Sequence, residues 1–211
     1  MQTCGKYIIK KTEPQHAEQL EILQSVVFPT LAKEELISKE QYLNHIKVFP
    51  EGQLVVLDGD IVICGSTTMR ANFSEKQHTF LEATDNLWIN NHNPIGEWMY
   101  GIDVSVHPSF QRQGIGGAVY RYRQETAQKL NCKGQITVGM TNGFINYSKD
   151  MTIEEYCKLL IDDKIKDPTV SAQRKCGFRI IKPLYNYLED PKCGNAGMLM
   201  YWPLDEKLIL L

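Results

Sequence analysis

Residues 100–130 read YGIDVSVHPSFQRQGIGGAVYRYRQETAQKL, and this stretch constrains the fold more than any other. Ile102, Val104 and Val106 alternate with Asp103 and Ser105, the period of a strand with one buried face. His107-Pro108-Ser109 ends that strand, because proline fixes its own φ and cannot donate to a ladder. Residues 111–117 then open a helix on which Ile115, Ala118, Val119, Tyr122 and Leu130 fall on or near one face. Gly114, Gly116 and Gly117 stand at its N-terminus, where backbone N–H groups lack partners and the helix dipole is positive. With no Cβ in the way, a phosphate can approach that backbone closely. The pattern is not a dinucleotide fingerprint GxGxxG, nor a loop ending in GK[ST].

Composition narrows the class. A chain of 211 residues is long enough for one domain with a proper core. The formal net charge of −2 argues against nucleic acid or an anionic membrane as partner, since both favour a basic surface. No run reaches the apolar length of a membrane helix, and the first residues, MQTCGKYIIKKTEPQ, hold no apolar signal core, so a cytoplasmic location is expected. The six cysteines form no CxxC pair and no zinc spacing with histidine, so they are expected as free thiols, Cys64 among them as core filler, and no metal is expected.

The rest of the chain builds around the central stretch. Residues 6–11 read as a first strand, followed by a helix capped by Thr12 with Pro14 in its first turn. Residues 31–49 give further short helices, with Ser38, Glu40 and Gln41 as a start signal. Residues 53–57 and 61–68 flank Asp58-Gly59-Asp60, a hairpin signal. Residues 72–93 show no period and read as a long structured loop near the site; its His78 and His92 are candidate acceptor contacts or plain solvated side chains. Residues 134–140 form the next strand. The strand–helix–strand order makes it parallel to the motif strand. Residues 141–166 exceed what a minimal fold needs, with a capped helix starting at Thr152. A short helix ending at Gly177 and two final strands follow, giving a single domain over 1–211 with an inserted helical segment at about 141–166.

The spacing Gln111-x-x-Gly114-x-Gly116, after a strand and a His-Pro break, resembles the acetyl-CoA-binding motif of the GNAT superfamily of N-acetyltransferases. Arg174-Lys175-Cys176-Gly177-Phe178 resembles that family's late K-x-G-F signature. The pieces GIDVSVHPSFQRQGIG, TIEEYCKLL and DPTVSAQRKCGFR resemble a bacterial branch sometimes attached to nitrilase-like carbon–nitrogen hydrolase domains; no such domain is expected within these residues. The resemblance covers essentially the whole chain. It implies an α/β (α+β) fold with a mixed, mostly antiparallel twisted sheet of about seven strands flanked by helices. It also implies that the motif strand and the 134–140 strand splay apart to admit the pantetheine arm. The N-terminal helices are expected to form part of the acceptor wall, and the inserted helix to cover the acceptor mouth.

The activity implied is direct acyl transfer from acetyl-CoA, as cosubstrate, to a small-molecule or peptide amine. The alternative is a non-catalytic acyl-CoA-binding or sensing module. By resemblance, Gln111, Arg112, Gln113, Gly114, Ile115, Gly116 and Gly117 hold the pyrophosphate, and backbone near Val104 and Val106 meets the thioester carbonyl. Arg121 or Arg123 is a candidate for the 3′-phosphate, or a solvated charge. Candidates for the base are Tyr100, Glu97 and Asp103; on a regular strand Asp103 faces away from Tyr100, and a bulge would change that. Acidic Glu82, Asp85 and Glu97 would suit a cationic acceptor. Many members carry a tyrosine four residues before the late glycine to protonate departing CoA; here that position is Gln173, which has no titratable proton. Tyr147, Tyr156, Tyr185, Tyr187 or water is expected to substitute. A monomer or homodimer is expected.

Overall fold

The computed structural model describes residues 2–210. Eight strands form one sheet in the order β1-β2-β3-β4-β5-β6-β8-β7. They are β1 (Gln2–Cys4), β2 (Tyr7–Lys11), β3 (Leu54–Asp58), β4 (Ile61–Ala71), β5 (Trp98–Val106), β6 (Gly134–Met140), β7 (Arg179–Leu184) and β8 (Gly197–Pro203). The strand beyond the seven expected is β1, a three-residue edge that pairs antiparallel with β2. All pairings are antiparallel except β5–β6, as the crossover through α4 (Ile115–Lys129) requires.

Two irregularities in β5 decide the geometry of everything downstream. First, β5 pairs with β6 only from Trp98 opposite Gly134 to Gly101 opposite Thr137. Beyond that point β5 stays on β4 as far as Val106, while β6 stays on β8 as far as Met140. The two parallel strands therefore form a fork. Second, Thr67 pairs with Asp103 but Thr68 pairs with Gly101, leaving Ile102 as a bulge. The extra residue shifts the alternation, so Tyr100 and Asp103 face the same side, opposite Met69 and Thr67.

Helices cover both faces. On one, α1 (Ala17–Val27) and α2 (Lys39–Val48) pack Leu20, Leu23 and Tyr42 onto Val55, Leu57, Val62 and Met69. A 3₁₀ turn at Pro14–His16 leads into α1, with Glu13 rather than Thr12 at the cap. Ser38 caps α2 reciprocally with Gln41. On the other face α4 lays Ile115, Ala118 and Val119 over Ile9, Leu54, Val56 and Ile63.

Two expectations are corrected. Residues 72–93 are not all loop: Thr79 and Glu82 form a capping box that starts α3 (Phe80–Thr84). The buried Leu87 and Ile89 that follow sit at positive φ, and the Leu87 carbonyl meets His45 Nε2 at 2.6 Å, which ties the segment to α2. The helix expected over the acceptor mouth, α5 (Ile153–Ile161), does not pack on the α1–α2 face of the sheet. Its Tyr156, Cys157 and Leu160 pack with Tyr120 of α4, Val170 of α6 (Pro168–Lys175), Phe178 and Met198, on the α4 face.

Candidate active site

The turn after β5 is shaped by its own side chains. His107 Nδ1 accepts from the Ser109 amide, and Gln111 Nε2 donates to the Val106 carbonyl at 3.0 Å. Gln113 accepts from the Tyr7 hydroxyl at 2.8 Å and donates to the Ser109 carbonyl. The side chains of Gln111 and Gln113 thus build the turn, and Ile115 is buried core. What they present outward is backbone. Arg112 at φ +60 and Gly114 at φ +83 turn the chain into α4, whose first turn has neither a side-chain cap nor an acidic residue. A Cβ on Gly114 or Gly116 would meet nothing within 4 Å. That open space beside uncapped N–H groups fits a pyrophosphate, with Arg112 exposed next to it.

The fork leaves further donors free. The His107 amide donates to the Ile63 carbonyl, and Val106 stands opposite Cys64. That register makes Val106–Cys64 a non-hydrogen-bonded pair, and alternation does the same for Val104–Ser66. The N–H groups of Val104 and Val106 therefore point away from β4, toward the gap left by β6.

On the α1–α2 face, a cavity of about 450 Å³ opens against the same strands. Its apolar lining includes Met69, Phe73, Trp98, Ile136 and Leu199, and Tyr100 and His78 also line it. Neither α1 nor α2 contributes to this wall; it comes from the sheet and from residues 71–83 with Asn91. Tyr100 and Ile136 are direct partners across β5 and β6, so the cavity reaches the closed part of the fork, one pair before it opens.

His78 is the residue that sequence reasoning undervalued. Its Nδ1 lies 2.8 Å from the Lys76 carbonyl, which can only accept, so Nδ1 carries the proton. In the neutral ring Nε2 then offers a lone pair 3.4 Å from the Tyr100 hydroxyl, which in turn lies 3.0 Å from the Tyr187 hydroxyl. Burial pushes the Tyr100 phenol up to about 12, with the Tyr187 hydrogen bond opposing. A lone histidine in an aperiodic segment gives no sequence signal for this arrangement. His92, by contrast, accepts from the Arg70 amide and stacks on Phe49.

The other two base candidates lie elsewhere. Glu97 precedes β5 and forms a half-exposed ion pair with Lys133 at 2.7 Å. Asp103 shares the face of Tyr100 through the bulge, but its carboxylate is enclosed by Gln24 and Ser105, each at 3.1 Å. Burial raises it to about 6, against those hydrogen bonds and the nearby Arg123.

Arg123 is not a solvated charge. It is 2% exposed, donating through Nη2 to the Thr67 and Asp103 carbonyls at the bulge, while its Nε has no partner. Its Nη1 lies beside Gly101 and close to Thr137, where the fork closes. It cannot reach a phosphate at the cradle. Among the described residues no group of His, Cys, Asp and Glu is placed to hold a metal ion, and no helix is long and apolar enough to cross a membrane.

The Acetyltransferase (GNAT) family model matches residues 20–144. Over 188 residues the chain is 32% identical to the uncharacterized N-acetyltransferase YkwB of Bacillus subtilis (strain 168), covering 88% of this chain and 83% of that protein. Over 200 residues it is 34% identical to the probable hydrolase YhcX of the same organism, covering 93% of this chain but only 38% of that protein. Among solved structures, the GphF GNAT-like decarboxylase in complex with isobutyryl-CoA superposes with a TM-score of 0.80 at 17% identity, over 94% of this chain and 100% of that one. At that identity the likeness is one of fold. Together the cradle, the fork and the family match make this chain a member of the GNAT acetyltransferase family.

Proposed function

We propose that the protein transfers an acetyl group from acetyl-CoA directly to a primary amine carried on an apolar body. One observation supports this above the others: the apolar cavity and the fork meet at the Tyr100–Ile136 pair. An amine in the cavity and a thioester in the fork would be neighbours at that point, as direct transfer demands.

Acetyl-CoA supplies the activated acyl group. The amides at the start of α4 and Arg112 would hold its pyrophosphate; a helix N-terminus alone gives about 0.3–1 kcal/mol per exposed charge, so several amides must act together. The N–H groups of Val104 and Val106 would stabilise negative charge developing on the thioester oxygen. An amine with a pKa near ~10 is almost wholly protonated at neutral pH, so a proton must be removed. Tyr100, held at about 12, is protonated there and serves as a donor rather than a base. His78 Nε2, with its lone pair turned toward Tyr100, is positioned to take the proton.

A cationic acceptor body is not favoured. Of Glu82, Asp85 and Glu97, only Glu82 reaches the cavity, and its carboxylate accepts from the Thr79 amide and hydroxyl. A cytoplasmic setting belongs to the same reading, supported by six cysteines that all carry free thiols.

The test is a thiol-release screen with acetyl-CoA across alkyl and aryl amines, polyamines, amino acids and peptides. Turnover is expected to be highest with an amine of apolar body, and His78→Gln is expected to lower kcat by about 10²-fold or more. A protein that binds CoA but releases no thiol with any amine would instead be an acyl-CoA-binding module.

A further inference from the structure

Acyl transfer needs a proton source on the donor side as well, and the residues around Gln173 supply one. This inference rests on the acetyltransferase reading above. Gln173 is buried in α6, and its Nε2 donates to the Tyr120 hydroxyl oxygen at 3.0 Å. It lies against β6: a Cβ on Gly139 would run into Gln173 Oε1. Tyr120 comes from α4, packs edge-on against Phe178 at 5.3 Å, and shares its apolar cluster with Val104 of β5. Its ring thus shares a cluster with Val104 on one arm of the fork, and its hydroxyl is tied through Gln173 to Gly139 on the other. Arg123, one turn along α4, marks the closed end at Gly101 and Thr137.

The direction of the hydrogen bond matters. Gln173 donates, so the phenol oxygen accepts, and the phenol's own proton has no acceptor among the described hydrogen bonds. Two of the substitutes expected from the sequence are engaged elsewhere: Tyr156 donates to Asp167 at 3.0 Å, and Tyr187 pairs with Tyr100 on the opposite face of the sheet.

We propose that Tyr120 is the general acid that protonates the departing CoA sulfur, and that Gln173 is its positioning residue. The amine nitrogen forms its bond to the acyl carbon, the C–S bond breaks, and sulfur leaves with the electron pair. Tyr120 gives its proton to that sulfur. The resulting phenolate is held by the Gln173 N–H and by the Arg123 guanidinium, which lies 5.7 Å from the ring centroid, and it recovers a proton from solvent. The nitrogen gives up two protons, one from the ammonium before attack and one as the amide forms, and both leave through His78 to solvent, so the reaction yields amide and free thiol. Burial raises the Tyr120 phenol while Arg123 opposes that rise, which keeps the group protonated in the resting site.

The test is Tyr120→Phe, which removes one oxygen and keeps the ring. Thiolate absorbance is titrated against pH in the CoA complex, with the desulfo-CoA complex subtracted, so that the protein's own thiols cancel. The bound thiol is expected to titrate at least about one pH unit higher in Tyr120→Phe than in the wild type. CoA affinity should change by less than about threefold. The kcat for acetyl transfer should fall about 10²-fold. Gln173→Met, which keeps the hydroxyl but frees it, should shift the thiol in the same direction and by less. Superimposable thiol titrations in wild type and Tyr120→Phe would overturn the proposal and leave the acetyltransferase reading standing. A wild-type protein that fails to bind CoA would overturn both.

Discussion

A carboxylate enclosed by Gln24 and Ser105 and covered from solvent is costly to keep charged, and Asp103 shows the consequence. Its pKa rises from 3.8 to about 6 on folding, chiefly through burial. Between those values the folded protein holds a proton that the unfolded chain has released. Stability is therefore expected to fall as pH rises through that window, by roughly 3 kcal/mol in total, and to level off above it. Asp103→Asn should remove that slope in denaturant titrations run across the window; an unchanged slope would place the charge elsewhere. Gln173→Ala is a milder change. It leaves Tyr120 in place without its amide partner, so kcat should drop less than about tenfold, whereas losing a true acid costs about 10²–10⁴. A larger loss in steady-state kinetics, with folding and CoA binding intact, would give Gln173 itself a chemical role. At this scale the sequence was least informative. Arg123 reads as one more polar residue on an amphipathic helix; only the Ile102 bulge, by leaving the Thr67 and Asp103 carbonyls within reach, gives a buried guanidinium partners. His78 likewise gains meaning from Lys76, Tyr100 and Tyr187, a set that no spacing announces.

Elements were far more legible than residues. The β5–turn–α4 unit, the Asp58-Gly59 hairpin and the helices starting after Ser38 and Thr152 all follow from period and cap chemistry. Helix α3 went unread because five residues carry no period, yet Thr79-Phe80-Leu81-Glu82 does fit the capping-box pattern. The reach of α5 was misjudged because its apolar face, readable from sequence, does not say which layer it meets. The α4 N-terminus permits a prediction in which two effects have opposite signs. Gly116 lies inside the helix at an ordinary φ and faces open space. Gly116→Ala should therefore stabilise the fold by up to about 1 kcal/mol, as alanine does over glycine in a helix. The same methyl would stand where the pyrophosphate must approach, so CoA affinity should fall. Gly114→Val, at φ +83, should raise the CoA dissociation constant at least tenfold, about 1.4 kcal/mol, with added backbone strain. Calorimetry showing unchanged affinity in both variants would move the phosphate site away from this turn.

At the scale of the molecule, the sheet consists of two blocks, β1 to β5 and β6 with β8 and β7, joined directly by the four residue pairs from Trp98–Gly134 to Gly101–Thr137. The open part of the fork leaves the Val104 and Val106 amides without strand partners. A ligand that enters there would bond both blocks, doing the work of the missing ladder. Two consequences follow from the same physical cause. With CoA at about 100 times its dissociation constant, linkage adds about 2.7 kcal/mol to the unfolding free energy. For a chain of this size that corresponds to a rise of about 5–10 °C in the midpoint of thermal unfolding. Locally, amide hydrogen exchange at Val104 and Val106 should be fast without ligand and slow markedly when acetyl-CoA is bound, while Ser105, which faces β4, should be protected in both states. Exchange resolved to single residues separates this from global stabilisation, which would slow Ser105 along with its neighbours. If saturating acetyl-CoA raises the melting temperature but leaves Val104 and Val106 exchanging as before, the acyl group does not enter the fork, and the cofactor is held at the cradle alone.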